Sequence, residues 1–354
     1  MRVPRVLVVP AIALAFTALA GSVAPAQAPH IRKPQPAPPG PAPLIPLPPA
    51  QFDSTLAVGG QDVKAKKVET RLSVDVLVNG RGPYRFIVDS GADTSAVGLR
   101  IARDLQLPLG EPALLSGMTA RNIVDRVKVD QLTLGPTTVT NLQLPALREV
   151  DVGGDGLIGI DALVRQRLLM DFDNKVIKVE DASKPAPHFP NEIVVTARRQ
   201  RGQLILTHVR AAGLSLDAVI DTGTEITIGN LALRDKLLRH HQKLFTVTAI
   251  GVTGVPVKLD VARIDELELG PITLRDVPMA FADVPPFETF GLVGQPSLLL
   301  GTDILEHFRK VSLDFRSRKV RFQLRRCGTQ GITIATTTEM PLLMTRLSAT
   351  TGGC

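Results

Sequence analysis

The residues best placed by type and spacing to do chemistry are two aspartates. Ile87-Val88-Asp89-Ser90-Gly91-Ala92 and Val219-Ile220-Asp221-Thr222-Gly223-Thr224 share one layout: an Asp after β-branched apolar residues, a small hydroxyl residue, a Gly and another small residue. Two carboxyls brought together cannot both ionise easily, so they share a proton and titrate as a pair. The ionised partner can then take a proton from water while the protonated one donates, which is general acid/base hydrolysis without a covalent intermediate. Either Asp89 or Asp221 could hold the proton. Asp-Ser-Gly and Asp-Thr-Gly are also ordinary turn sequences, so one copy alone would mean little.

The flanks repeat as well. Val129 to Leu147 (VDQLTLGPTTVTNLQLPAL) parallels Ile264 to Phe281 (IDELELGPITLRDVPMAF), Gly156 to Leu163 parallels Leu298 to Leu305, and Leu168 to Glu180 parallels Val311 to Gln323. One unit is therefore written twice, and each copy supplies one acid. Alternation of Val74, Val76 and Val78, a turn at Asn79-Gly80 and a return over Tyr84 to Val88 predict a hairpin that delivers Asp89. Leu204 to Val209, a turn at Gly213 and Ala218 to Ile220 do the same for Asp221. A helical stretch follows each loop, over Leu99 to Leu105 in the first copy and Leu231 to Leu238, with Asn230 as N-cap, in the second. Short strands punctuated by Gly and Pro make up most of the rest, which predicts all-β lobes.

At 354 residues and 44% apolar content there is material for two lobes with sizeable cores. Arg2, Arg5 and the apolar run Val6 to Ala20 read as an export signal over residues 1–28, with Ala18-Leu19-Ala20 or Ala26-Gln27-Ala28 as the cleavage site. That run is shorter than the ~20 residues of a spanning helix, which favours removal over a retained anchor and predicts no lasting membrane insertion. Residues 29–54 form a Pro-rich linker, expected to be an extended, solvated tether. Then follow an N-terminal lobe over 55–182, a boundary near Asp181 to Pro190, a C-terminal lobe over 190–325 and an extension over 326–354. The net charge of +7 is scattered, apart from Arg198-Arg199-Gln200-Arg201, and there is no Trp and one Tyr. Stacking platforms for nucleic acid are scarce, so the charge reads as solubility and no nucleic-acid partner is expected. Cys327 and Cys354 could pair in an oxidising compartment or remain as free or intermolecular thiols.

Other apparent motifs are discounted. Gly154 to Gly159 fits G-x-G-x-x-G, but it sits in a β repeat and not in the strand–helix setting a dinucleotide needs. The six His residues show no metal-ligand spacing, and His240-His241 reads as a solvated helix end. Neither a metal nor a cofactor is expected. No G-x-S-x-G elbow is present, which argues against a serine hydrolase.

Over roughly residues 55 to 325 the chain resembles the aspartic proteases, in both their pepsin-like and retroviral-type branches. The resemblance rests on Asp-[Ser/Thr]-Gly in each half and on Leu157-Ile158-Gly159 and Leu299-Leu300-Gly301, the apolar-apolar-Gly motif that follows it in the family. It implies an all-β acid protease fold: two homologous β-barrel-like lobes with short helices and an active site in the cleft between them. Ala92 and the Gly-x-Asp residues Asp161 and Asp303 are retroviral-like, whereas Thr224 is the pepsin-like choice. The family pattern implies that Asp89 and Asp221 are catalytic, and that Ser90 and Thr222 bond across to the opposite loop. It further implies that Gly91 and Gly223 let amides point at the carboxylates. Ala92 offers Asp89 no side-chain hydrogen bond while Thr224 can offer one to its loop, so the shared proton is expected to be held less acidically than in pepsin. Asp161 and Asp303 are expected to brace loops through hydrogen bonds or an Arg.

Substrate-covering flaps are expected around Gly117 and Met118 and around Gly251 and Gly254, one per half, although the same glycines suit ordinary hairpin turns. Tyr84 precedes the first acid and cannot be a pepsin-type flap residue. Lys64, Lys66 or Lys67 could cap the acids as a pro-segment lysine does, although a basic surface turn explains them more simply. The sequence thus implies an exported aspartic endopeptidase acting on peptide or protein substrate, a monomer with its lobes paired within one chain. A lobe pairing between chains, or a peptide-binding protein that kept the fold without activity, is the alternative.

Overall fold

The structure is a computed structural model that describes residues 30–38, 61–64, 66–68, 71–135, 137–163, 166–238, 244–325 and 333–336. The expectations for residues 1–28, His240-His241, Cys327 and Cys354 lie outside these. Each half folds into a closed six-stranded barrel. In the first, the strand Arg71–Val78 pairs with both Arg81–Val88 and Arg126–Leu134, which closes the ring through Gly156–Ile158, Ala96–Gly98 and Thr137–Leu147. In the second, Gln203–Ala211 pairs with both Leu214–Ile220 and Pro256–Leu269, with Ser297–Leu300, Ile228–Gly229 and Ile272–Phe281 completing the circuit. Closure follows from the alternation of the strands. Val74, Val76 and Val78 are at most 1% exposed while Asp75 faces solvent, so one face of the strand fills the barrel.

Below the barrels lies one sheet built equally by both halves. Gln61–Lys64, Val176–Asp181 and Gln166–Asp171 come from the first half, and Phe308–Asp314, Lys319–Leu324 and Glu192–Gln200 come from the second. The two sets meet at an antiparallel seam in which Leu169 lies opposite Ser312 and Arg167 opposite Asp314. Arg167, 3% exposed, bonds Asp314 at 3.1 Å, Glu180 at 3.2 Å and the Lys184 carbonyl at 3.0 Å. A buried guanidinium with two carboxylates and a carbonyl as acceptors is satisfied, and removing both carboxylates would strand its charge. The two halves share this seam. The stretch between Asp181 and Glu192 joins the outer parts of this shared floor.

The helices fall close to expectation, at Leu99–Asp104 and Leu231–Leu237, and the Asn230 side chain accepts the Leu233 N–H at 2.9 Å as an N-cap should. Lys64, Lys66 and Lys67 lie in strands, Lys64 paired with Val176 in the floor and Lys66 with Ser73 on the first barrel. Thr333–Thr336, in the C-terminal extension, adds a strand beside Ile272–Arg275. Of the proposed linker only His30–Pro38 is described: it is extended, as its prolines dictate, and largely exposed, but it is not loose, since Gln35 and Pro36 pair with Ile123 and Asn122 and Ile31 packs on the core. Proline content fixes the backbone conformation but not what the strand lies against.

Candidate active site

Each acid is carried by the end of a strand wedged into its barrel. Arg81–Val88 runs parallel to Gly156–Ile158, and the Asp89 N–H continues the ladder by donating to the Ile158 carbonyl at 2.9 Å. Leu214–Ile220 runs parallel to Ser297–Leu300, and Asp221 N–H donates to Leu300 at 3.0 Å. Beyond these bonds the two loops turn towards each other and interlock. The Ser90 hydroxyl donates to the Ile220 carbonyl (3.0 Å) and accepts the Thr222 N–H (3.1 Å). Reciprocally, the Thr222 hydroxyl donates to the Val88 carbonyl (2.8 Å) and accepts the Ser90 N–H (2.9 Å). Ser90 and Thr222 are 1% and 2% exposed, so these four bonds are shielded from water, and each loop holds the other.

The carboxyls meet in the middle. Asp89 accepts the N–H groups of Gly91 and Ala92 on one oxygen, both at 2.9 Å, and Asp221 accepts those of Gly223 (2.9 Å) and Thr224 (3.2 Å). A Cβ on Gly91 would come within 2.5 Å of the Asp221 carboxyl carbon, and one on Gly223 would collide with the Asp89 carboxyl. Each glycine is thus required by the acid of the other half. The two side chains are within hydrogen-bonding reach of each other. Burial first, and the Asp89 charge second, push the Asp221 carboxyl up to about 8, which means the pair retains a proton well above the ordinary carboxylate range. The Thr224 hydroxyl stays within its own loop, donating to Ile226 at 3.3 Å.

A family model described as aspartyl protease matches the chain twice, over residues 74–162 and 207–304, with one of the two acids in each span. The chain belongs to the aspartyl protease family. No curated protein matches it. Both matched spans end just past the second aspartates of the aspartyl protease repeat, which lie behind the acid loops. Asp161 accepts from the Ser95 N–H (2.9 Å), the Ser95 hydroxyl (2.7 Å) and the Thr94 hydroxyl (3.0 Å), and Asp303 accepts from the Thr227 N–H (2.9 Å) and hydroxyl (2.7 Å). The Ser95 and Thr227 hydroxyls in turn accept the Gly159 and Gly301 N–H groups at 3.0 Å. These aspartates brace their loops by hydrogen bonds, and burial raises both carboxyls. Ser95 and Thr227 are partners that the sequence reading missed, although both stand six positions after their acid.

The acids lie in a cleft of about 850 Å³ between the lobes, large enough for several peptide residues. Two hairpins roof it, and each crosses to the other half. The first, Ala113–Ser116 with Arg121–Val124, places Met118 against the core of the second barrel. The second, Phe245–Ile250 with the start of Pro256–Leu269, places Val252 against the apolar cluster of the first half that includes Ile87, Leu147 and Leu157. The tips touch where Thr119 abuts Gly251, and the Thr253 hydroxyl donates to Asn122 at 2.8 Å. Gly254, at φ +77°, leaves room for Arg148 of the first half. Gly117, Met118, Gly251 and Gly254 therefore all lie in the roof. At one wall Asp93, from the first acid loop, is held by Arg201 (2.5 Å) and Gln203 (2.6 Å) of the second half. Arg201, read from sequence as part of a solubilising cluster, is an inter-lobe contact. Among the described residues no group of three His, Cys, Asp or Glu is placed to hold a metal ion.

Proposed function

We propose that the protein is an exported aspartic endopeptidase in which Asp89 and Asp221 hydrolyse peptide bonds. The observation that carries this reading is the apposition of two carboxyls, one from each half, close enough to share a hydrogen. Asp221 is assigned the shared proton because it is the more deeply buried of the two, 6% exposed beside a half-buried Asp89, and burial penalises the charged form. Asp89 is then the ionised partner. With a peptide in the cleft, Asp89 takes a proton from water as the water oxygen bonds to the scissile carbonyl carbon, and Asp221 gives its proton to the carbonyl oxygen. In the second step Asp89 passes its proton to the leaving nitrogen, the C–N bond breaks, and a hydroxyl of the diol returns a proton to Asp221. The amides on each carboxylate, and the interlock of Ser90 with Thr222, keep both groups oriented through this exchange.

Export rests on the basic start, the apolar run and the small-x-small sites of residues 1–28. Among the described residues no helix is long and apolar enough to cross a membrane. The test is cleavage of a peptide library by the wild type, with and without pepstatin, beside Asp89→Asn and Asp221→Asn. Turnover should fall by about 10²–10⁴-fold in both variants and be blocked by the inhibitor. A variant that keeps most of its turnover would overturn the mechanism, and peptides bound but never cut by the wild type would favour the non-catalytic binding protein.

A further inference from the structure

The family match begins at residue 74, yet a buried carboxylate inside it is satisfied by a residue far upstream. Asp125 stands at the base of the first flap, only 6% exposed. Arg32 occupies both of its oxygens: the backbone N–H donates at 2.8 Å, Nε at 3.1 Å to each oxygen, and Nη2 at 2.5 Å. Arg32, 55% exposed, covers Asp125 and holds it by a four-bond, part-buried contact, so the upstream segment is fastened to the flap base. Next to this pair, Gln35 and Pro36 lie antiparallel to Ile123 and Asn122, and the Ala37 N–H donates to the Arg121 carbonyl at 3.1 Å. The upstream segment is thus a third strand on the return arm of the flap, covering an edge that would otherwise be bare. That arm carries Asn122, which accepts from Thr253 of the opposite flap, and Arg121, which lies 3.7 Å from Glu288 of the opposite lobe. Whatever fixes the arm therefore fixes the roof.

We propose that Arg32 and the strand Gln35–Pro36 are positioning elements that hold the first flap down over the two acids, making the segment ahead of the barrels a working part of the substrate site. The proposal rests on the peptidase reading above. Arg32 does not touch substrate; it acts through Asp125. Loss of the hold lets the closed roof lift, which weakens the grip on bound peptide and leaves the acids unchanged.

The test uses the full chain with Arg32→Ala, Arg32→Lys and Ala37→Pro, the last of which removes the donor to Arg121 and sets the proline ring against that carbonyl. Hydrogen exchange at Arg121–Val124 should speed up by about tenfold or more in Arg32→Ala and Ala37→Pro, while Ile272–Phe281 in the second barrel keeps its wild-type rates. With a cleaved peptide, KM should rise about fivefold with kcat within about twofold, and Arg32→Lys should recover most of the loss. Exchange unchanged at Arg121–Val124, or accelerated equally in the second barrel, would overturn the proposal. So would a kcat loss without a KM change. Exchange needs no turnover, so a wild type that cuts nothing would sink the peptidase reading and leave the hold on the flap to be judged by exchange alone.

Discussion

The first flap carries Gln35–Pro36 along its return arm and Arg32 at its base, whereas the second, from Phe245 to the start of Pro256–Leu269, shows no such third strand among the described residues. Phe245 and Ile250 on the second are 56% and 66% exposed. The tips are nonetheless handled alike, Met118 seated in one barrel and Val252 in the other. Duplication explains the shared parts: strands, acid loops, hairpins and braces all lie inside the repeat. Arg32 and Gln35–Pro36 lie outside it, ahead of the first copy. Two equivalent hairpins thereby become a fixed one and a freer one, and the second is the expected door for substrate.

The largest effect tests whether the equivalence reaches the acids. Asp89→Asn and Asp221→Asn should each lower kcat by about 10²–10⁴-fold. A variant that kept most of its rate would show that the halves have diverged at the centre as well as at the roof. Next come the interlocked hydroxyls. Ser90→Ala and Thr222→Val each leave a buried N–H and a buried carbonyl without partners, and each should cost about 1–3 kcal/mol in urea unfolding. A loss in only one of them would mean that one loop holds the other without being held.

The titration of the pair gives a smaller signal with a definite sign. Because the folded carboxyl of Asp221 is raised to about 8, the folded state keeps a proton that the unfolded chain gives up near its ordinary value of 3.8. This contribution to stability is complete at the acid end and is lost as pH rises through about 8. Asp221→Asn should flatten that part of a pH series of unfolding midpoints. If the wild type gained stability over that window relative to the variant, the proton would not be held as described. The smallest difference lies between the flaps themselves: amides of Phe245–Ile250 should exchange about tenfold faster than those of Arg121–Val124, measured by mass spectrometry. Equal rates would erase the distinction.

Much of this was legible in sequence because the repeat printed it twice. Both acid loops and the helix at Leu231 with its Asn230 cap follow from local pattern plus duplication, whereas the flaps and the bracing role of Asp161 and Asp303 came from the resemblance to the aspartic proteases. What was not legible depends on partners far apart in the chain. Gln35 meets Ile123, Asp93 meets Arg201 and Met118 meets the second barrel, and none of these pairings leaves a period or spacing to read. The hydroxyls of Ser95 and Thr227 were readable, since each stands at the same offset from its acid, but such a residue gives no sign of what it bonds.

The shared floor has its own implication. Three strands from each half meet at the seam of Leu169 and Ser312, so the halves adhere through a ladder and an ion network, and the peptide link near residues 182–191 is a convenience of synthesis. A nick there should leave the two fragments associated. The same seam resists separation of the barrels, so among the described residues it is the hairpins above, and not the floor below, that are placed to move when something enters the cleft.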